Sequence, residues 1–99
     1  MSAVDELIGT WMSDPEDEEG IREFGRVTLE FEEDGQLTYV VHAPGKDQKM
    51  FLRFRVEDGL LVTDQPSAPR EERTAYSIGP NGKLNLWFGG RRSIYFRAE

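Results

Sequence analysis

The stretch Val27–Val41, VTLEFEEDGQLTYVV, decides the fold. Val27, Leu29 and Phe31 alternate with Thr28, Glu30 and Glu32, the period of a strand with one buried face. Residues that pair across a hairpin share a face, so the turn can be chosen by asking which loop length sets apolar against apolar. A two-residue loop at Asp34-Gly35 would pair Phe31 with Thr38. A three-residue loop, Glu33 to Gly35, pairs Phe31 with Leu37, Leu29 with Tyr39 and Val27 with Val41. The expected connection is therefore a type I turn followed by a left-handed Gly35.

The same reasoning extends outward. At Val56-Glu57-Asp58-Gly59-Leu60 a three-residue loop would set Val56 opposite Leu60 and Phe54 opposite Val62. At Gly79-Pro80-Asn81-Gly82-Lys83, Pro, Asn and Gly suit successive positions of a type I turn and its left-handed exit, so Ile78 pairs with Leu84 and Tyr76 with Leu86. Around Gly89-Gly90 two registers compete. A two-residue loop puts Phe88 opposite Arg91 and turns Tyr95 and Arg97 to the core side, whereas a loop of Gly90 to Arg92 turns Ile94 and Phe96 inward. The second is preferred because it buries two apolar side chains and leaves Arg97 at the surface or rim.

Strands are expected at roughly 10–13, 21–33, 36–42, 49–56, 60–64, 71–78, 83–88 and 92–97. Ser2 caps a short helix through Leu7, with Asp5 at the capping-box position, and Gly9 ends it. Residues 14–20 read as an acidic loop, and the Pro-bearing segments 43–49 and 64–70 as connections. The fold class is all-β: an antiparallel up-and-down meander of about eight strands closing into a small barrel, with an open two-sheet sandwich as the alternative.

Ninety-nine residues form one domain, 1–99, with no Cys and hence no disulfide or zinc-thiolate site. The net charge of −7 is uneven: residues 1–34 carry 12 acids against Arg22 and Arg26, and the remainder 7 acids against 10 bases. Such acidity argues against a nucleic-acid partner, which needs a concentrated Lys/Arg face. No apolar run is long enough for a membrane span or a secretory leader, so a soluble cytoplasmic protein is expected.

Gly9-Thr10-Trp11 after a short helix, the hairpin series, and the ending Tyr95-Phe96-Arg97 resemble the lipocalin-like (calycin) families, above all compact bacterial lipocalin-like domains. In those families the matching Trp sits at the closed end of the barrel beneath an Arg of the last strand. By resemblance Trp11 and Arg97 take those roles, as a structural end plug. Fatty-acid-binding proteins begin with a similar strand but use an Arg-x-Tyr pair for the ligand carboxylate. Arg92 and Tyr95, three apart, fall on opposite strand faces.

No catalytic constellation stands out, and no cofactor or metal is implied. His42 is the only histidine and sits near a strand rim; Glu71 and Glu72 are adjacent and face opposite ways; residues 14–19 lack the spacing of a calcium loop. The chain therefore reads as non-enzymatic. Its first expected function is binding a small apolar ligand inside the barrel, with Tyr39, Phe54, Thr74, Tyr76 and Leu86 as candidate ligand contacts, since an apolar pocket needs few hydroxyls to orient its guest. The second is a protein-interaction module or homodimer with a filled core. It would act through an outer aromatic and Arg face of Val40, Phe51, Arg53, Trp87 and Tyr95.

Overall fold

The computed structural model describes residues 3–66 and 70–98. The expected helix cap Ser2 and part of the 64–70 connection lie outside the described residues. The chain forms helix α1 (Ala3–Leu7), strand β1 (Gly9–Ser13) and helix α2 (Glu18–Phe24). Strands β2 (Arg26–Phe31), β3 (Gln36–His42), β4 (Gln48–Glu57), β5 (Leu60–Asp64), β6 (Glu71–Ile78), β7 (Leu84–Phe88) and β8 (Arg91–Arg97) follow. All neighbours are antiparallel, in chain order, and β8 returns to β1 to close the barrel. Closure gives every strand a neighbour on both sides, which an open sandwich would not.

The registers at two turns follow the apolar pattern. Phe31 pairs with Leu37, Leu29 with Tyr39 and Val27 with Val41; Gly35 sits at φ 91° with its N–H donating to Glu32 O. Ile78 pairs with Leu84 and Tyr76 with Leu86 across a turn whose Gly82 is at φ 78°.

Two other turns correct the expectation. Between β4 and β5 the loop has two residues, Asp58 and Gly59, both at positive φ (52° and 74°), so Val56 pairs with Leu61 and Arg55 with Val62. The apolar pattern could not arbitrate there, because Leu60, Leu61 and Val62 are apolar on both faces. Val62 points outward yet is 0% exposed. Its cross-strand neighbours are Arg55 and Arg73. Each of these arginines pairs with both Glu57 and Glu71, at 2.6 to 3.3 Å, in a closed ring of charges over the valine. The arginine stems supply the apolar cover and the carboxylates hold them down.

The Gly89-Gly90 loop is likewise two residues, with both φ values positive (58° and 85°), and Phe88 pairs with Arg91. Ser93, Tyr95 and Arg97 therefore take the inner phase of β8, and Ile94 and Phe96 the outer. The preference for burying Ile94 and Phe96 failed because Arg97, at the strand end, needs no dry burial. Its guanidinium lies 4.2 Å from the Trp11 ring centroid and donates to Ile8 O and Glu6 O, each at 2.8 Å.

The segment read as an acidic loop and the start of a strand contains α2 instead. Asp17 caps it, its Oδ1 accepting from Gly20 N at 3.2 Å while Oδ2 accepts from Ile94 N of β8 at 2.9 Å. Gly25 at φ 81° ends it. Phe24 packs edge-on against Phe88, with centroids 5.2 Å apart, so α2 leans on the β7–β8 side of the barrel.

Antiparallel order puts the β2–β3, β4–β5 and β6–β7 hairpins at the end where β1 begins. Leu7 of α1 closes that end, 0% exposed and joined to Trp11, whose Nε1–H donates to Leu7 O at 3.0 Å. Leu84, Tyr95, Val27 and Leu29 are buried in the same core.

Candidate functional site

At the other end the interior is not filled. A cavity of about 380 Å³ opens beside the β3–β4 and β5–β6 connections. Its walls follow from strand alternation: Leu29 and Phe31 of β2, Leu37 and Tyr39 of β3, and Met50 and Leu52 of β4 form one side. Thr63, Glu72 and Thr74 of β5 and β6 form the other, with Gln65 and Arg70 at the rim. The volume is at the small end of ligand pockets, roughly 300–1,000 Å³.

Of the expected ligand contacts, Tyr39, Thr74 and Leu86 line this cavity. Phe54 and Tyr76 do not. Phe54 packs edge-on to Phe31, centroids 4.9 Å apart, within the solid core. Tyr76 lies further along β6, towards α1, where burial first and the nearby Glu6 carboxylate second raise its phenol pKa. Burial raises the Tyr39 phenol too, so both are neutral hydroxyls near neutral pH.

The proposed outer face divides in the structure. Phe51 is 58% exposed on the outer wall of β4. Arg53 is exposed but engaged, its guanidinium donating to Asp34 O of the β2–β3 turn at 2.8 Å. Trp87 is half-buried. Val40 faces outward but is 5% exposed, sunk between its cross-strand partners Thr28 and Lys49. Tyr95 is no part of an outer face: the two-residue Gly-Gly turn places it inside, 0% exposed. Its hydroxyl has no hydrogen-bond partner among the described residues. Burial pushes that phenol far above its usual range.

Two further polar groupings escaped the sequence reading. His42 Nε2 lies 2.7 Å from Thr28 Oγ1, and Nδ1 lies 3.2 Å from Asp47 Oδ2. Hydroxyl, imidazole and carboxylate stand in the order that nucleophile, base and orienting group take in catalytic sites. Here the set sits on the outer wall, with His42 and Asp47 side chains 38% and 49% exposed, and none of the three lines the cavities described here. The β2–β3 register already set Thr28 diagonal to His42; no sequence signal pointed to Asp47.

The other grouping lines an external groove of about 930 Å³ between residues 14–19, the β6–β7 turn and β8. Asp14, 5% exposed, pairs with Lys83 at 2.5 Å and accepts from Glu16 N at 3.0 Å. The Lys83 ammonium first and this N–H second hold the Asp14 carboxyl below its ordinary value. Asp17 is likewise committed, to Gly20 N and Ile94 N. Two of the acids that wall the groove, Asp14 and Asp17, thus tie the chain together. Among the described residues no group of three or more His, Asp or Glu side chains is arranged to hold a metal, and no helix is long and apolar enough to cross a membrane.

Comparison with known protein families finds no family that matches the chain, and comparison with curated proteins finds no match.

Proposed function

We propose that the protein is a non-enzymatic, lipocalin-like binder of a small molecule with an apolar body, held in the barrel cavity. The observation that carries this reading is the unfilled end of the barrel: α1, Trp11 and Arg97 plug one end, while at the other Leu29, Leu37, Leu52 and Leu86 surround about 380 Å³ of open space. A protein of this size gains nothing in stability by leaving such apolar walls unpacked, since each missing contact forfeits dispersion and transfer energy. Binding chemistry is a reason to keep them.

Native mass spectrometry of freshly purified protein tests the proposal. The expected result is a ligand-shifted peak that collapses to the bare chain after organic extraction and reappears on adding the extract back. A bare chain before extraction, with no binding on adding the extract, contradicts it.

A second reading, self-association through the outer wall, is favoured by one observation: Phe51, on the outer face of β4, is 58% exposed. Sedimentation velocity across a hundredfold concentration range separates it from the first. A constant monomer mass, unchanged in Phe51→Ser, removes this second reading.

A further inference from the structure

The two sides of the cavity differ in chemistry, and the difference follows the strands. In a closed eight-strand barrel β6 lies across the lumen from β2. The β2–β4 side is apolar apart from the neutral Tyr39 hydroxyl. The facing β5–β6 side presents, beyond Leu61, the polar series Thr63, Gln65, Arg70, Glu72 and Thr74.

On β6 and the residue before it the alternation is strict. Arg70, Glu72 and Thr74 line the cavity, while Glu71 and Arg73 point outward into the charge ring with Arg55 and Glu57. The outward charges are thus satisfied among themselves and neutralise nothing inside. Among the described residues neither Arg70 nor Glu72 joins an ion pair. The backbone N–H of Arg70 donates to Asp64 Oδ1 at 3.0 Å, which anchors the start of this edge. Deeper in, Thr74 is only 9% exposed.

We infer that the ligand is a small zwitterion with an apolar body, of which an apolar α-amino acid is the simplest chemical form. The inference rests on the ligand-binding reading above and names the class of ligand.

The carboxylate goes to Arg70 and the ammonium to Glu72. Alternate residues on a strand stand roughly 7 Å apart, and both side chains are long enough to converge on one head group. A lone carboxylate, such as a fatty acid, would gain Arg70 but be repelled by Glu72; a lone amine meets the reverse. A head carrying both charges pairs each wall charge with its opposite and leaves neither facing its like. The apolar body then lies against Leu29, Phe31, Leu37 and Leu52. A single amino acid or a close analogue fits the volume of about 380 Å³.

The test is isothermal titration of the full chain at low salt with three probes sharing one apolar body: phenylalanine, 3-phenylpropionate and 2-phenylethylamine. Phenylalanine is expected to bind up to about fivefold more tightly than either singly charged probe, the worth of one exposed ion pair. Arg70→Gln should remove its advantage over 2-phenylethylamine, and Glu72→Gln its advantage over 3-phenylpropionate. Both side chains are exposed at the rim, so neither substitution threatens folding, and thermal melts check this.

Binding of all three probes with equal affinity, or head-group preferences unmoved by both substitutions, overturns the zwitterion inference and leaves the ligand-binding reading standing. No binding by any probe, together with a bare chain in native mass spectrometry, overturns both.

Discussion

Trp11 shows what one residue does here. It is 0% exposed, its indole N–H donates to Leu7 O, and its face carries the Arg97 guanidinium at 4.2 Å. Arg97 in turn holds the carbonyls of Glu6 and Ile8, at the C-terminal end of α1, where a cation is favourable. Trp11→Ala is predicted to cost roughly 3–5 kcal/mol in chemical denaturation, the range for emptying a large core site; a loss under about 1 kcal/mol would deny the plug.

Asp14 ties the α2 approach to β7 through Lys83, and its chemistry sets a pH dependence. Its folded pKa is lower than the ordinary 3.8, so the stabilisation is present above that value and is lost as pH falls through the folded value. Lys83 is shifted upward from 10.5 by the same contact, so its share is lost as pH rises past that value. Asp14→Asn should therefore cost about 1–2 kcal/mol at pH 7, Lys83 being a third exposed, and progressively less once the pH falls below 3.8, so less at pH 2 than at pH 7. Denaturation curves at both pH values check this, and an equal cost at both would contradict the ion pair.

At the scale of elements, α2 was the feature hardest to see. Its signals were present, namely Asp17 three residues before Gly20, Glu18 and Glu19 in the first turn, and Gly25 after the last. With only Ile21 and Phe24 on its apolar side, however, it carried too little periodicity to compete with the adjoining strand. Its anchor makes an unusual prediction. A Cβ added at Gly20 would stand 2.1 Å from Asp17 Oδ2, so Gly20→Ala must displace the carboxylate from both Gly20 N and Ile94 N. In an ordinary helix this substitution stabilises by about 1 kcal/mol; here it is predicted to destabilise by roughly 1–3 kcal/mol. A rise in melting temperature would refute the double role of Asp17.

The hairpins show where a sequence is legible and where it falls silent. At 32–36 and 79–83 the strands are polar on one face, so only one register buries the apolar set, and the turn residues agree with it. At 58–59 Leu61 and Val62 are both buried on opposite faces, one in the core and one under the charge ring, so pattern alone could not choose. At 89–90 the choice hung on whether Arg97 could be turned inward. That became clear only with α1 and Trp11 in place to receive it. Tyr95, placed outside by the same error, became a core residue.

For the whole molecule, the barrel is packed at the α1 end and open at the other, and the candidate site follows from that imbalance. Tyr39, Thr74 and Leu86 were readable as lumen residues from the β2–β3 and β6–β7 registers. Phe54 and Tyr76 share that inner phase but fall in the packed half, because depth along a barrel depends on strand stagger, which no local pattern reports. Arg70 and Glu72 went unread because they flank a connection, where charges are ordinarily solvated.

The charge distribution has the same organisation. The outer face of β4 to β6 uses its arginines and glutamates in a closed ring, and the inner edge of β6 keeps Arg70 and Glu72 for the cavity. The most direct test of ligand binding is a high-resolution electron-density map of protein crystallised without extraction. The account predicts discrete non-protein density between Leu52, Leu61 and Thr74, reaching Arg70 and Glu72 at the rim. An interior in which Met50, Leu52 and Phe88 close together and leave no space for a guest would contradict it.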